Sequence, residues 1–188
     1  MELDAYVSPL IHSGLEGRNY YLEQFVCIPN TKEHESLLVT EAKPSHLHAA
    51  LLLLGIEPGR PVIWDESGEA SDAQGPALRV LFVYENERGE RVEVHPAAWT
   101  RHIDTGETMA MRDWVFSGST VRSARGREFY EADAAGTVIG LASFGGETIS
   151  WPVYVSDLEE TGDLAWLART EAMPPARTPV VVRVSVVE

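Results

Sequence analysis

Cysteine and lysine are scarce in this chain of 188 residues, which has one cysteine, Cys27, and two lysines, Lys32 and Lys43. A single cysteine cannot form an intrachain disulfide or hold an iron–sulfur cluster, so cysteine usage gives no indication of the compartment. No apolar run approaches the ~18 residues that a membrane-spanning helix needs, and no transmembrane segment is expected. The opening residues, MELDAYVSPLIHSG, also lack the basic and apolar regions of a signal peptide.

Basic residues are fewer than acidic ones: the chain has 15 Lys and Arg and 29 Asp and Glu, which give a net charge of -14. The electrostatic field of this negative charge repels phosphate backbones and anionic membrane surfaces, so we expect no nucleic-acid partner. Hydrophobic residues make up 44% of the chain, which excludes a disordered polymer. We therefore expect one globular domain over residues 1–188, with an N-terminal arm over 1–19 and a solvated acidic loop over 65–77.

Short segments with alternating or continuous apolar residues predict that strands make up most of the structure. A strand covered on both faces is expected over 21–28, and a second over about 34–40. The tetrapeptide Asn86-Glu87-Arg88-Gly89 predicts a hairpin turn between strands over 77–85 and 91–95. Further strands are expected over 113–117, 127–132, 137–143, 151–155 and in the alternating segment that closes the chain.

Two helices are predicted. The first covers 44–54, with Pro44 in its first turn and leucines at helical spacing, and the second is short and covers 161–170. Strict alternation of strands and helices is absent. The predicted fold class is therefore α+β: a single mixed or antiparallel β-rich domain with one well-defined helix near 44–54 and a short helix near 161–170.

The segment from Cys27 to Gly55 concentrates the chemically versatile side chains: the one cysteine, both lysines and three of the six histidines. On extended backbone Lys32, His34 and Ser36 share one face, whereas Glu35 lies on the other. We predict that this polar strip binds an anion or a carbonyl. His46 and His48 lie about 200° apart on a helix, so at most one can approach the strip. The candidate ligand-binding residues are Lys32, His34, Glu35, Ser36, His46 and His48.

These residues complete no catalytic signature. A zinc motif of the form H-E-x-x-H begins at His34 but fails at Leu38, so no metal is predicted. Ser36 with His34 and Glu35 lacks the G-x-S-x-G context of a hydrolase. Cys27 is reactive only where a neighbouring cation lowers its pKa, and is otherwise a small buried hydrophobe. No cofactor is predicted.

Several short motifs, in order and spacing, resemble the YdjY-domain family of bacterial proteins over nearly the whole chain. One departure is Arg177, which stands where similar sequences tend to have glycine before Thr-Pro-Val. The segments that carry the resemblance are Gly14-Leu15-Glu16, Lys32-Glu33-His34-Glu35-Ser36, Leu51 to Gly55, Trp114-Val115-Phe116-Ser117-Gly118-Ser119, Tyr130-Glu131-Ala132-Asp133, Gly136-Thr137-Val138-Ile139 and Pro174-Pro175 before Thr178-Pro179-Val180.

The resemblance implies a protein that works outside the cytoplasm, because members of that family, which is uncharacterised, look exported or lipid-anchored. Some members carry a ferredoxin-like iron–sulfur domain, whose cysteines this chain lacks. The first hypothesis is a periplasmic or extracytoplasmic binding domain for a small molecule or protein, with any membrane tether outside this sequence. The alternative is an enzyme or redox-accessory protein that uses Lys32, His34, Glu35 and Ser36 with Cys27 nearby. A cytoplasmic location is the alternative to export.

Overall fold

The computed structural model describes residues 1–13, 20–156 and 164–187. Three α-helices lie among these residues: α1 (Pro9–Ser13), α2 (Pro44–Leu53) and α3 (Glu131–Ala135). Strands dominate. They are β1 (Glu2–Val7), β2 (Gln24–Cys27), β3 (Ser36–Val39), β4 (Ile63–Trp64), β5 (Ala70–Ser71), β6 (Ala77–Glu85), β7 (Arg91–Val94), β8 (Thr100–His102), β9 (Trp114–Phe116), β10 (Val121–Ala124), β11 (Arg127–Tyr130), β12 (Thr137–Gly140), β13 (Ile149–Ser150), β14 (Trp166–Ala168) and β15 (Pro179–Val186).

Eight of the strands form a closed barrel. Their order around it is β15, β1, β3, β2, β12, β13, β9 and β6, and β6 pairs with β15 to complete the ring. Neighbouring strands are antiparallel, except that β2 with β3 and β12 with β13 are parallel. Strand β7 extends the sheet by pairing with the end of β6. Each barrel strand therefore has a neighbour on both sides, which removes the free edges of an open sheet.

The predicted α+β fold class is wrong, because the described residues form a mostly β structure around this barrel. Helix α2 contains 10 residues and buries only Pro44, Leu47 and Leu51. Closure depends on β15, which pairs with β1 near the other terminus and with β6 in the middle of the chain. Local hydrophobic periodicity identifies strands but contains no information on such distant pairing.

Alternating side chains of β6 and β15 fill part of the core. The inward rows are fully or almost fully buried, whereas Arg79 and Arg183 of the same strands point outward to ion pairs with carboxylates. Nearby, the Trp114 ring meets Phe25 and Trp151 edge to face, with ring centroids 5.0 and 5.1 Å away. The inward residues of the two strands are Leu78, Val80, Phe82, Val180, Val182 and Val184.

The predicted hairpin is confirmed by β6 and β7, which pair from Phe82 with Val94 to Glu85 with Arg91. The Asn86 side-chain oxygen accepts the backbone N–H groups of Arg88 and Glu90 at 2.9 and 3.0 Å and so closes the turn. The strand predicted over 151–155 is not found there; the nearby strand β13 covers Ile149–Ser150.

The short helix predicted over 161–170 is wrong in the part that the structure describes, and residues 161–163 lie outside that part. Trp166–Ala168 form β14, which pairs with β8, and a 3-10 turn follows at Thr170–Ala172. The carbonyl of Trp166 also accepts the N–H of Leu22 at 2.8 Å. Long-range pairing thus satisfies backbone groups that a helix would have bonded locally.

The expected N-terminal arm over 1–19 contains a barrel strand, β1, which lies between β15 and β3. The amino group of Met1 donates to the carbonyl of Val184 at 2.8 Å, and residues 14–19 lie outside the described part. At the other terminus, Arg177 has a φ of 66°. Glycine adopts this left-handed conformation without steric cost, so a glycine would fit this turn better than arginine does.

Candidate functional site

One end of the barrel gathers polar side chains from three chain segments. Strands β2 and β3 begin at this end because they are parallel, and β12 ends here because it runs antiparallel to β2. The connection from β2 to β3 includes a 3-10 turn at Glu33–Glu35, immediately before β3. We call the group the Lys32 cluster, and its members are Glu23, Lys32, His34, Glu35, Phe144 and Glu147.

Lys32 is held by a carboxylate and an aromatic ring. Its Nζ donates to Glu23 Oε2 at 2.8 Å and lies 3.8 Å from the centroid of the Phe144 ring. The Lys32 and Glu23 side chains are 26% and 18% exposed, so the pair is partly shielded from water. Electrostatic attraction to both groups fixes the ammonium at the mouth of the cluster.

Glu35 is the member whose ionisation is most altered. Burial raises the pKa of Glu35 to about 7, and the nearby Glu23 carboxylate adds to this rise through its charge and a hydrogen bond, whereas Lys32 opposes it. Glu35 Oε1 lies 3.1 Å from His34 Nε2, and the His34 ring meets Tyr20 edge to face. Near neutral pH, this carboxyl group can therefore donate or accept a proton.

Glu147 lies deeper and is only 2% exposed. Its Oε1 accepts the N–H of Phe144 at 2.6 Å, whereas its Oε2 has no hydrogen-bond partner among the described residues. Burial raises the pKa of Glu147, and the Phe144 N–H and the Lys32 charge oppose that rise. A buried oxygen without a partner is rare, so Glu147 Oε2 requires an explanation that the contacts of the fold do not provide.

A second unpartnered oxygen, Gln24 Oε1, lies in the same region. Gln24 pairs with Gly140 across β2 and β12, and its amide donates to Thr137 Oγ1 at 2.8 Å. The Glu147 side chain packs on Gly140 so closely that an added Cβ would lie 2.8 Å from Glu147 Cγ. Gly140 is therefore required for this carboxylate to enter the barrel end.

The structure brings three of the six predicted site residues together: Lys32, His34 and Glu35. Because β3 begins at Ser36 and a 3-10 turn precedes it, His34 and Glu35 contact each other instead of pointing to opposite faces. Ser36 is fully buried, and its Oγ donates to the Lys32 carbonyl at 2.7 Å. This hydroxyl holds the turn in place and does not face the cluster's ionisable groups.

The two predicted histidines of α2 lie elsewhere. His46 is exposed, whereas His48 Nδ1 lies 2.8 Å from the hydroxyl of Tyr130. That hydroxyl donates to the carbonyl of Gly118 at 2.9 Å and lies 2.9 Å from Thr148 Oγ1. Asp133 caps the start of α2 by accepting from the N–H and hydroxyl of Ser45 at 2.8 and 2.6 Å. We call this second group the His48 cluster: Ser45, His48, Tyr130, Asp133 and Thr148.

Cys27 does not have the environment of a reactive thiol. It is fully buried on β2, and burial raises the pKa of its thiol, although hydrogen bonds with Ser36 and Thr31 oppose the rise.

Sequence patterns missed four residues around the cluster. Glu23 had a usable signal, because it is the one charged residue in the alternating row of Tyr21, Phe25 and Cys27. Tyr20, Phe144 and Glu147 had none, since their positions depend on the barrel.

No group of three or more His, Cys, Asp or Glu side chains suited to one metal ion occurs within 1–13, 20–156 and 164–187.

Fold and site together define a closed β-barrel domain that carries a partly buried cluster of carboxyl groups around one lysine. The chain belongs to the YdjY domain family, whose model matches residues 9–185. No curated protein and no solved structure matches it. In the part of the chain that the structure describes, no helix has the length and apolar character to cross a membrane.

Proposed function

We propose that this YdjY domain is a binding domain whose ligand site is the Lys32 cluster. The observation that carries the proposal is Glu147 Oε2, a buried oxygen without a hydrogen-bond partner in the described structure, within electrostatic reach of Lys32. A polar ligand atom that donates a hydrogen bond would satisfy it. The ligand class is a small polar molecule that bears such donors.

The charges of the cluster narrow the class of ligand that it can bind. Three carboxyl groups surround one ammonium, and Glu35 titrates near neutral pH because its pKa is about 7. An anionic ligand would meet an excess of negative charge, whereas a neutral carbonyl or hydroxyl compound would find both a donor, Lys32, and acceptors. We therefore favour a neutral or cationic ligand over the anion that the sequence also suggested.

Binding is favoured over catalysis because the cluster has no activated nucleophile. The hydroxyl of Ser36 is buried and engaged with the Lys32 carbonyl, and the Cys27 thiol is buried with a raised pKa. One observation favours the second candidate, an enzyme at the same site: a carboxyl group with a pKa of about 7 is suited to general acid–base catalysis. The redox-accessory variant has no comparable support.

The test is a ligand-observed NMR screen of the purified protein against small amines, sugars, amides and carboxylic acids. We expect a hit whose signal disappears with His34→Ala, while the melting temperature stays within a few degrees. His46→Ala is the matched control, because His46 is exposed on α2 and lies outside the cluster. A hit that binds His34→Ala as well as it binds the wild type would contradict this site.

The same screen separates binding from catalysis. A compound that is bound and recovered unchanged after prolonged incubation supports the binding domain. Conversion of the compound, lost in Glu35→Gln but not in His46→Ala, would establish the enzyme instead.

We also propose that the protein works outside the cytoplasm, as the resemblance to exported members of the family implies. Fractionation of the full-length protein expressed in its own cells provides the test. Recovery of the protein in the cytoplasmic fraction would overturn this location and leave the ligand site untouched.

A further inference from the structure

Strands β6 and β15 separate at one end of their ladder, next to a proline. Their last pair is Val83 with Val181. The next hydrogen-bonded pair would join Glu85 to Pro179, but proline has no N–H to donate. Pro179 therefore removes one of the two bonds of that pair, and the strand pairing ends before it.

The backbone of Glu85 faces this opening. The N–H of Asn86 donates to Glu90 at 2.9 Å, so Asn86 and Glu90 form a hydrogen-bonded pair with the β7 side of the hairpin. Hydrogen-bonding direction alternates along an antiparallel strand, which turns the N–H and C=O of Glu85 away from β7 and toward β15. These two groups lie beyond the last strand pair and have no ladder partner.

Two adjoining hollows occupy the opening, of about 480 and 340 Å³, and both are bordered by Tyr84 and Glu85. The larger also touches Asp4 of β1 and Pro179 of β15, and the smaller reaches Glu87 of the hairpin turn. We call this continuous surface the β6–β15 cleft.

The cleft carries uncompensated negative charge. Asp4, Glu85 and Glu87 are exposed, and none of the three has a salt-bridge partner among the residues that the structure describes. Arg91, which also borders the larger hollow, is engaged with Glu93 at 3.3 Å. Cationic groups in the cleft would therefore meet unpaired carboxylates: Asp4 and Glu85 in the larger hollow, and Glu85 and Glu87 in the smaller.

We infer that the β6–β15 cleft binds an extended, basic peptide segment of a protein partner. The peptide backbone pairs with the N–H and C=O of Glu85 that the β6–β15 ladder leaves unpaired, as in recognition by strand addition. Its lysine or arginine side chains lie beside Asp4, Glu85 and Glu87, which complements their charge. This surface is separate from the Lys32 cluster, and the inference does not depend on the proposed function.

The probe is a fluorescent peptide of alternating valine and lysine, measured by anisotropy with the full chain at low and moderate salt. The double charge reversal Glu85→Lys/Glu87→Lys is expected to weaken binding by at least about tenfold. Glu66→Lys/Glu128→Lys is the matched control, because it makes the same change of charge at exposed residues that do not border the cleft. The control is expected to change affinity by less than about twofold.

A second probe isolates the backbone contribution. The same peptide with methyl groups on alternate amide nitrogens keeps its charge but loses those N–H donors, and it should bind more weakly than the parent. Equal loss of affinity in both double variants would reduce the effect to general attraction by an acidic protein and overturn the inference. Binding of the methylated peptide with the same affinity as the parent would overturn strand addition. Self-association that masks the cleft, measured by sedimentation, would overturn the peptide partner and assign the cleft to a second copy of this chain.

Discussion

Glu147 and Thr148 are neighbours in sequence, yet their side chains belong to two polar clusters that differ in how fully their hydrogen bonds are satisfied. In the His48 cluster, Tyr130 donates to Gly118 and can accept from His48 Nδ1–H and the Thr148 hydroxyl. Both oxygens of Asp133 are bonded to Ser45. In the Lys32 cluster, Glu147 Oε2 has no partner in the described structure, and the neighbouring Glu23 carboxylate adds to the raised pKa of Glu35.

This difference separates a structural cluster from a candidate binding site. The satisfied network of the His48 cluster rigidifies the packing of α2 against α3, and its polar groups already have the hydrogen bonds that a ligand would offer. The Lys32 cluster keeps buried and partly buried carboxyl groups in an environment that raises their pKa, and Lys32 and the Phe144 N–H offset this cost in folding free energy only in part. Such groups concentrate at functional sites, which is why we propose the ligand site here.

The largest expected effect comes from breaking the satisfied cluster. Tyr130→Phe removes one hydroxyl and leaves the Gly118 carbonyl, His48 and Thr148 each without a partner in a partly buried setting. We expect it to lower the free energy of unfolding by about 2 kcal/mol, measured by urea denaturation. Tyr154→Phe is the matched control, since the Tyr154 hydroxyl makes no hydrogen bond to the described residues, and it should cost less than about 0.5 kcal/mol. Equal losses in the two variants would remove the distinction between the clusters.

In the Lys32 cluster we expect a substitution to raise the free energy of unfolding instead of lowering it. The pKa of Glu35 rises from 4.5 to about 7 on folding, so the folded protein holds this proton more tightly. The contribution of this bound proton to folding stability is fully present below pH 4.5 and is lost as the pH rises through about 7. Glu35→Gln keeps the side chain neutral, so at pH 8 it should be more stable than the wild type by about 1–2 kcal/mol.

The measurement is the difference in unfolding free energy between wild type and Glu35→Gln from pH 4 to pH 8. We expect the difference to grow across that range, since the wild type alone ionises Glu35. Glu128→Gln, at an exposed position, serves as the control and should leave the pH dependence unchanged. A variant that is destabilised equally at every pH would show that the Glu35 carboxyl group is structural.

Local sequence patterns predicted strands and turns well where contacts between sequence neighbours determine the backbone conformation. Asn86 bonds the backbone of its own turn, and the apolar alternation of β6 matches its buried row, so both were predictable from neighbours in sequence. The barrel was not, because the pairing of β15 with β1 and β6 joins residues that are far apart in the chain. Long-range pairing also explains why the helix predicted near 161–170 is wrong, because Trp166 pairs there with the distant His102.

The candidate site was predictable only as far as it is local. Lys32, His34 and Glu35 lie within one short turn, and their concentration in the sequence marked them correctly as neighbours. Their mutual contacts were not predictable, because a 3-10 turn replaced the expected extended backbone. Phe144 and Glu147 enter from the connection between β12 and β13, and only the closed barrel places them beside Lys32.

The smallest expected change in stability tests how Lys32 acts on its neighbours. Its ion pair with Glu23 is partly exposed, so Lys32→Met should lower the free energy of unfolding by no more than about 0.5 kcal/mol. Methionine can keep the packing on Phe144 while removing the charge. Because the Lys32 charge lowers the pKa of Glu35, its removal should move the Glu35 titration to higher pH, which carboxyl-carbon NMR can follow. Lys43→Met, at the other lysine and on the exposed start of α2, should leave that titration in place. An unchanged Glu35 midpoint in Lys32→Met would mean that the ammonium does not govern the cluster, and the contrast with the His48 cluster would then rest on Glu147 alone.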